Sequence, residues 1–165
     1  MEKTPAGTER IQLEQEMPPG IERRLVLRLL GHWRTLCGDR NLPALSDIDP
    51  TAIPDIWPHS FLIEIDGTRG DHVFKALGDR IDNYSAGSLV GRRVTDAPAD
   101  ALSGLAVGYI DEVLKKGVPI SRGGEFSNPD GTRVLFRSVL LPIGENENTI
   151  SGILGAANCR EVVEN

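Results

Sequence analysis

The feature that most constrains this 165-residue chain is the run over residues 132–143, which is apolar at both parities. Val134, Phe136 and Leu140 share one parity, while Leu135, Val139 and Leu141 share the other. The turn sequence Asn128-Pro129-Asp130-Gly131 precedes the run and a polar loop from Gly144 follows it, so it reads as one long strand. Successive side chains of a strand point to opposite faces. An antiparallel sheet open to water on one side would show polar residues at one parity. Both faces of this sheet therefore need a cover.

The other elements supply candidates for that cover. Strands are expected over residues 61–65 and 72–77, paired as a hairpin through Asp66-Gly67 and Gly70-Asp71, and over residues 118–126 and 150–158. Leu102, Leu105, Ala106, Tyr109, Ile110, Val113 and Leu114 predict one amphipathic helix over residues 100–116, with Lys115 and Lys116 in its last turn and Gly117 as its cap. Short helical turns are expected over residues 81–89. Ile21, Leu25, Leu29, Leu30, Trp33 and Leu36 predict a further helix over residues 21–36, stopped at Gly38. Between that helix and the first strand, Pro43, Pro50, Pro54 and Pro58 allow only short turns, pinned by Ile53, Ile56 and Trp57.

This order gives an α+β fold: a five-stranded antiparallel sheet with helices on one face, and the N-terminal helix covering the other face or forming a dimer. As a dimer interface, that helix would be anchored by Leu25, Leu29 and Trp33, and a twofold homodimer is the expectation. Residues 1–19 read as a disordered tail, 20–160 as the domain, and 161–165 as a C-terminal tail.

Composition narrows the function classes. A net charge of −6 argues against nucleic acid or anionic lipid as a partner. No apolar run suits a membrane span or a signal peptide, and Cys37 and Cys159 are too few for a disulfide framework. The expectation is a cytoplasmic protein with reduced thiols and no membrane insertion.

Local phrases carry a resemblance. Ser46-Asp47-Ile48-Asp49-Pro50, Ile53-Pro54 and Trp57-Pro58-His59 lead into the first strand. Phe74-Lys75-Ala76-Leu77-Gly78-Asp79-Arg80-Ile81 and Ser88-Leu89-Val90-Gly91-Arg92-Arg93 follow. Together with the element order, over residues 20–158, they resemble PAS domains, in particular bacterial single-domain PAS sensors. The resemblance implies a sensory or protein-interaction module rather than a catalyst. It further implies dimerisation through the N-terminal helix and signalling partners such as kinases.

If the helices pack over a concave sheet face, its lining would include Phe74, Ile81, Tyr84, Leu89, Val94, Leu105, Tyr109, Phe126, Phe136 and Ile153. The alternative is a core filled at normal density. Tyr84, Tyr109 and Ser138 could place polar groups in such a site, and Arg80 or Arg92 could meet an acidic group at its mouth. An unidentified small apolar or amphipathic ligand is compatible with this lining, and no cofactor is predicted. Asn158-Cys159-Arg160 matches part of the flavin-attaching motif of light-sensing PAS domains, but follows the last strand instead of the second, so flavin is disfavoured. Haem is disfavoured because His32, His59 and His72 all lie outside residues 100–116. His59 reads as structural and His72 as exposed. No metal spacing or nucleophile triad stands out. The competing possibility is a small cup-shaped lyase or isomerase for a hydrophobic substrate, for which Glu64, Asp79 or Glu125 would have to lie inside the cup.

Overall fold

The computed structural model describes residues 21–66, 71–83, 88–99, 101–146 and 149–162. Helix α1 (Ile21–Cys37) leads through three 3₁₀ turns to β1 (Ser60–Glu64) and β2 (Val73–Leu77). Next come α2 (Asp79–Asn83), α3 (Leu102–Val107) and α4 (Ile110–Lys116), then β3 (Ile120–Ser127), β4 (Arg133–Ile143) and β5 (Gly152–Glu161). All strand pairs are antiparallel, in the order β2-β1-β5-β4-β3. The 1–19 tail and residues 163–165 lie outside the described residues. β5 runs to Glu161, three residues past the expected end at Asn158. Val162 is buried beyond it, its N–H donating to the Arg133 carbonyl.

The two parities of β4 feed two separate cores. Val134, Phe136 and Leu140 join Phe61, Phe74 and Ile153 under α3 and α4. Val139, Leu141 and Ile143 join Leu62, Leu154 and Ala156 under α1. The second cover is thus intramolecular. Leu25, Leu29 and Trp33 are the residues that supply it, and Leu29 is 0 % exposed. Of the two roles expected for the helix, covering the sheet or forming a dimer, these three side chains serve the first. Each such burial contributes about 1.5–3 kcal/mol.

β5 can cross the middle of the sheet because its small residues admit neighbours. Gly155 sits opposite Phe61, and a Cβ there would collide with the Phe61 ring. The ring instead lies edge-on to Phe74, with centroids 6.2 Å apart.

The single helix expected over residues 100–116 is two helices. Gly108 closes α3 with an N–H bond to Leu105, and Tyr109 leaves the helical region at φ −110°, ψ 23°. The backbone re-enters the helix with Glu112 N–H on the Tyr109 carbonyl, a bond spanning three residues rather than four. Apolar periodicity runs through this break because both helices cover the same sheet face.

Candidate functional site

The face expected to be concave carries side chains from all five strands, with α3 and α4 across it. Phe74, Ile81, Leu89, Val94, Phe136 and Ile153 are buried there, and Leu105, Tyr109 and Phe126 pack against them half-buried. The rings of Phe126 and Phe136 are tilted at 54° to each other, 6.1 Å between centroids. Nine of the ten expected lining residues therefore meet in one cluster, and Tyr84 lies outside the described residues.

A polar chain enters this apolar face. Ser138, between Phe136 and Leu140 on β4, is 0 % exposed. Its hydroxyl donates to the Ala106 carbonyl at 3.3 Å and lies 2.6 Å from the Tyr109 hydroxyl. Serine has one hydroxyl hydrogen, so Tyr109 donates to Ser138. The break before α4 delivers the Tyr109 ring to this position. Burial raises the Tyr109 phenol to about 12, outweighing the nearby Arg122 and Arg137 charges that favour the phenolate. Arg122 from β3 lies over the ring at 5.4 Å from its centroid. Its guanidinium also bonds Glu112 at 2.6 Å, and Glu112 bonds Lys116 at 3.0 Å. These two cations hold the Glu112 carboxyl below its usual range, Lys116 first and Arg122 second.

Sequence reasoning missed Ser103. It lies on α3, is buried, and its hydroxyl has no hydrogen-bond partner among the described residues. A serine inside a helix normally returns its proton to a carbonyl one turn back. The signal available in the sequence was a hydroxyl residue on the apolar stripe of a helix.

Arg80 and Arg92 do not join the cluster. Arg80 is exposed on α2, and Arg92 forms an exposed ion pair with Asp96 at 3.6 Å. Arg80 instead acts on His59, whose imidazole is pushed below its usual range by burial first and by the Arg80 charge second, against the opposing pull of Asp79. His72 is buried, which corrects the expectation of exposure. Its Nδ1 accepts the Asp66 N–H at 3.2 Å, and its carbonyl accepts from Val94, which crosses the outer edge of β2. Glu64, Asp79 and Glu125 all stand on the surface, Glu125 paired with Arg133 at 2.9 Å, so none brings a carboxylate into the cup. Among the described residues no cluster of ligating side chains could hold a metal ion, and no helix is long and apolar enough to cross a membrane.

A family model described as PAS domain matches residues 22–158. No curated protein matches the chain. Among solved structures, a light-oxygen-voltage domain studied with a flavin analogue is similar at 14 % identity, with 69 % of this chain and 84 % of that chain covered and a TM-score of 0.48. The light-state domain of the blue-light photoreceptor Aureochrome1 matches at 17 % identity, 64 % and 88 % coverage and a TM-score of 0.45. A PAS domain from Colwellia psychrerythraea matches at 18 % identity, 63 % and 86 % coverage and a TM-score of 0.38. At these identities the likeness is one of fold.

The cofactor expectation is corrected by these matches: light-oxygen-voltage domains, one of them studied with a flavin analogue, are among the structures this chain is similar to. The ground given for disfavouring flavin also changes. Cys159 on β5 faces the concave cluster, opposite Phe136, although it does not stand on the helices after β2.

Proposed function

The chain belongs to the PAS domain family, and from that premise we propose that it is a cytoplasmic sensory module of signal transduction whose concave sheet face takes a small, largely apolar ligand. The observation that carries this reading is a satisfied pair of hydroxyls under α3 and α4 together with a second buried hydroxyl, on α3 itself, that lacks a partner among the described residues. The Tyr109–Ser138 pair is satisfied internally, while the Ser103 hydroxyl is not. A buried hydroxyl without a partner costs about 1–3 kcal/mol, and a polar atom of a bound ligand would remove that cost. Apolar walls with a few fixed polar groups suit a ligand held by shape and one or two hydrogen bonds. No catalytic step is assigned, because Glu64, Asp79 and Glu125 lie outside the cup and a sensory role needs only binding and release.

Native mass spectrometry of freshly purified full-length protein tests the proposal, because it detects retained small molecules directly. The expected result is a mass increment that is lost on denaturation and diminished in Ser103→Ala. Protein that carries no increment, and whose melting temperature is unmoved by a panel of small amphipathic compounds, would overturn it.

A further inference from the structure

The outward face of α1 differs in charge from the molecule as a whole. The helix holds four arginines and one glutamate in a chain of net charge −6. Arg23, Arg24, Leu27, Arg28, Gly31 and Arg34 are all exposed and recur at three- and four-residue steps. They form one stripe along about 17 Å of helix. Leu27, at 63 % exposure, is the most exposed large hydrophobic residue among those described.

One turn beyond Leu27, Gly31 occupies the middle of the helix, and a Cβ placed there would meet nothing within 4 Å. Glycine weakens a helix interior relative to alanine, and the open space shows no contact among the described residues that demands it. A projecting leucine beside bare backbone is a knob next to a hole, the pairing by which helices interlock.

We propose that this stripe docks an acidic amphipathic helix of a partner protein. The partner seats an apolar side chain on Gly31, packs against Leu27 and sets carboxylates beside Arg23 and Arg34. A second copy of this chain suits the stripe poorly. Antiparallel pairing that puts Leu27 of one copy on Gly31 of the other brings Arg24 against Arg34 at both ends, and parallel pairing sets each arginine beside its own counterpart. A nucleic acid would use the arginines but leave Leu27 and Gly31 without a role. Because the net charge of the chain repels an acidic partner at long range, attraction has to arise locally on α1. The proposal stands independently of any ligand on the concave face.

The test is fluorescence anisotropy with full-length protein and a designed helical peptide of about four turns, glutamate-rich with one leucine stripe, alongside its lysine-for-glutamate counterpart. The glutamate peptide is expected to bind and to weaken as salt rises. Arg23→Glu combined with Arg34→Glu should cost at least tenfold in affinity, and so should Gly31→Leu. The melting temperature of Gly31→Leu should equal or exceed that of the parent, whereas a purely structural role for Gly31 would lower it and spare binding. Failure of the glutamate peptide to bind, equal binding of the lysine peptide, or unchanged affinity in the variants overturns the proposal. So does a solution dimer dissociated by Gly31→Leu, which would give the stripe to a second copy, or tighter binding of single-stranded RNA lost in Arg34→Glu.

Discussion

Trp33 donates its indole N–H to the backbone carbonyl of Pro142 at 2.8 Å, a buried bond that ties α1 to β4. β3 pairs with β4 only as far as Leu140, so no β3 residue is opposite Pro142 and the helix supplies the donor. The contact also fixes how α1 lies across the outer sheet face, with Leu29 and Leu25 following it over β4 and β5.

Trp33→Phe keeps most of the apolar area and removes the donor, so it should cost about 1–3 kcal/mol. Leu29→Asp buries an unpaired carboxylate and should unfold the α1 side of the sheet rather than dissociate a complex. Urea denaturation followed by far-ultraviolet circular dichroism checks both. An unchanged midpoint for Leu29→Asp would show that α1 is not a structural cover.

Gly155→Ala should destabilise the domain, because the added methyl meets the Phe61 ring across the β1–β5 ladder. Overpacking of this kind costs about 1–3 kcal/mol. Phe61→Leu opens room at the same point, so the double variant should be less destabilised than the sum of the two singles. Strict additivity in thermal melts would show that the two positions do not share this contact.

The sheet and both covers were legible because they rest on periodicity: the two parities of β4 and the stripe of α1 are patterns that burial alone imposes. The break at Gly108 and Tyr109 was not legible, since the residues on either side keep the same apolar rhythm while the backbone changes only locally. Most of the apolar lining of the concave face was readable for the same reason as the core. The roles of Arg80 and Arg92 were not, because an arginine's reach hides where its head group settles. His72 read as exposed from its place at a strand start. Its burial depends on residues 91–94 closing over β2, a long-range contact that no local pattern encodes.

Burial and Arg80 both lower the His59 pKa, so the unfolded chain takes up a proton before the folded one as pH falls. Stability should therefore be full above the unfolded value near 6.5 and decline as pH drops from there through the lower folded value. Arg80→Gln removes one of the two causes and should raise the His59 pKa and reduce this acid sensitivity. Proton NMR titration of the His59 ring follows the shift directly. An unmoved pKa in Arg80→Gln would place Arg80 outside the electrostatic reach of the ring.

Tyr109 titrates in the opposite sense. Its phenol is raised from 10 to about 12, so the unfolded chain loses the proton first as pH rises. The stabilisation from the neutral hydroxyl is whole below pH 10 and should vanish between pH 10 and about 12. Tyr109→Phe leaves Ser138 its bond to the Ala106 carbonyl, so the loss is that of one acceptor's partner, about 0.5–1.5 kcal/mol. Ser138→Ala instead strands the Tyr109 hydroxyl in a half-buried place and should cost more than Tyr109→Phe, while the double variant should recover part of that cost. A spectrophotometric titration near 295 nm distinguishes the cases, since the late phenolate transition should disappear in Tyr109→Phe and move in Ser138→Ala. A phenolate that forms near pH 10 in the folded protein and is lost in Tyr109→Phe would mean that Tyr109 points to solvent, and the polar chain from the break in the helix to the middle of β4 would not exist.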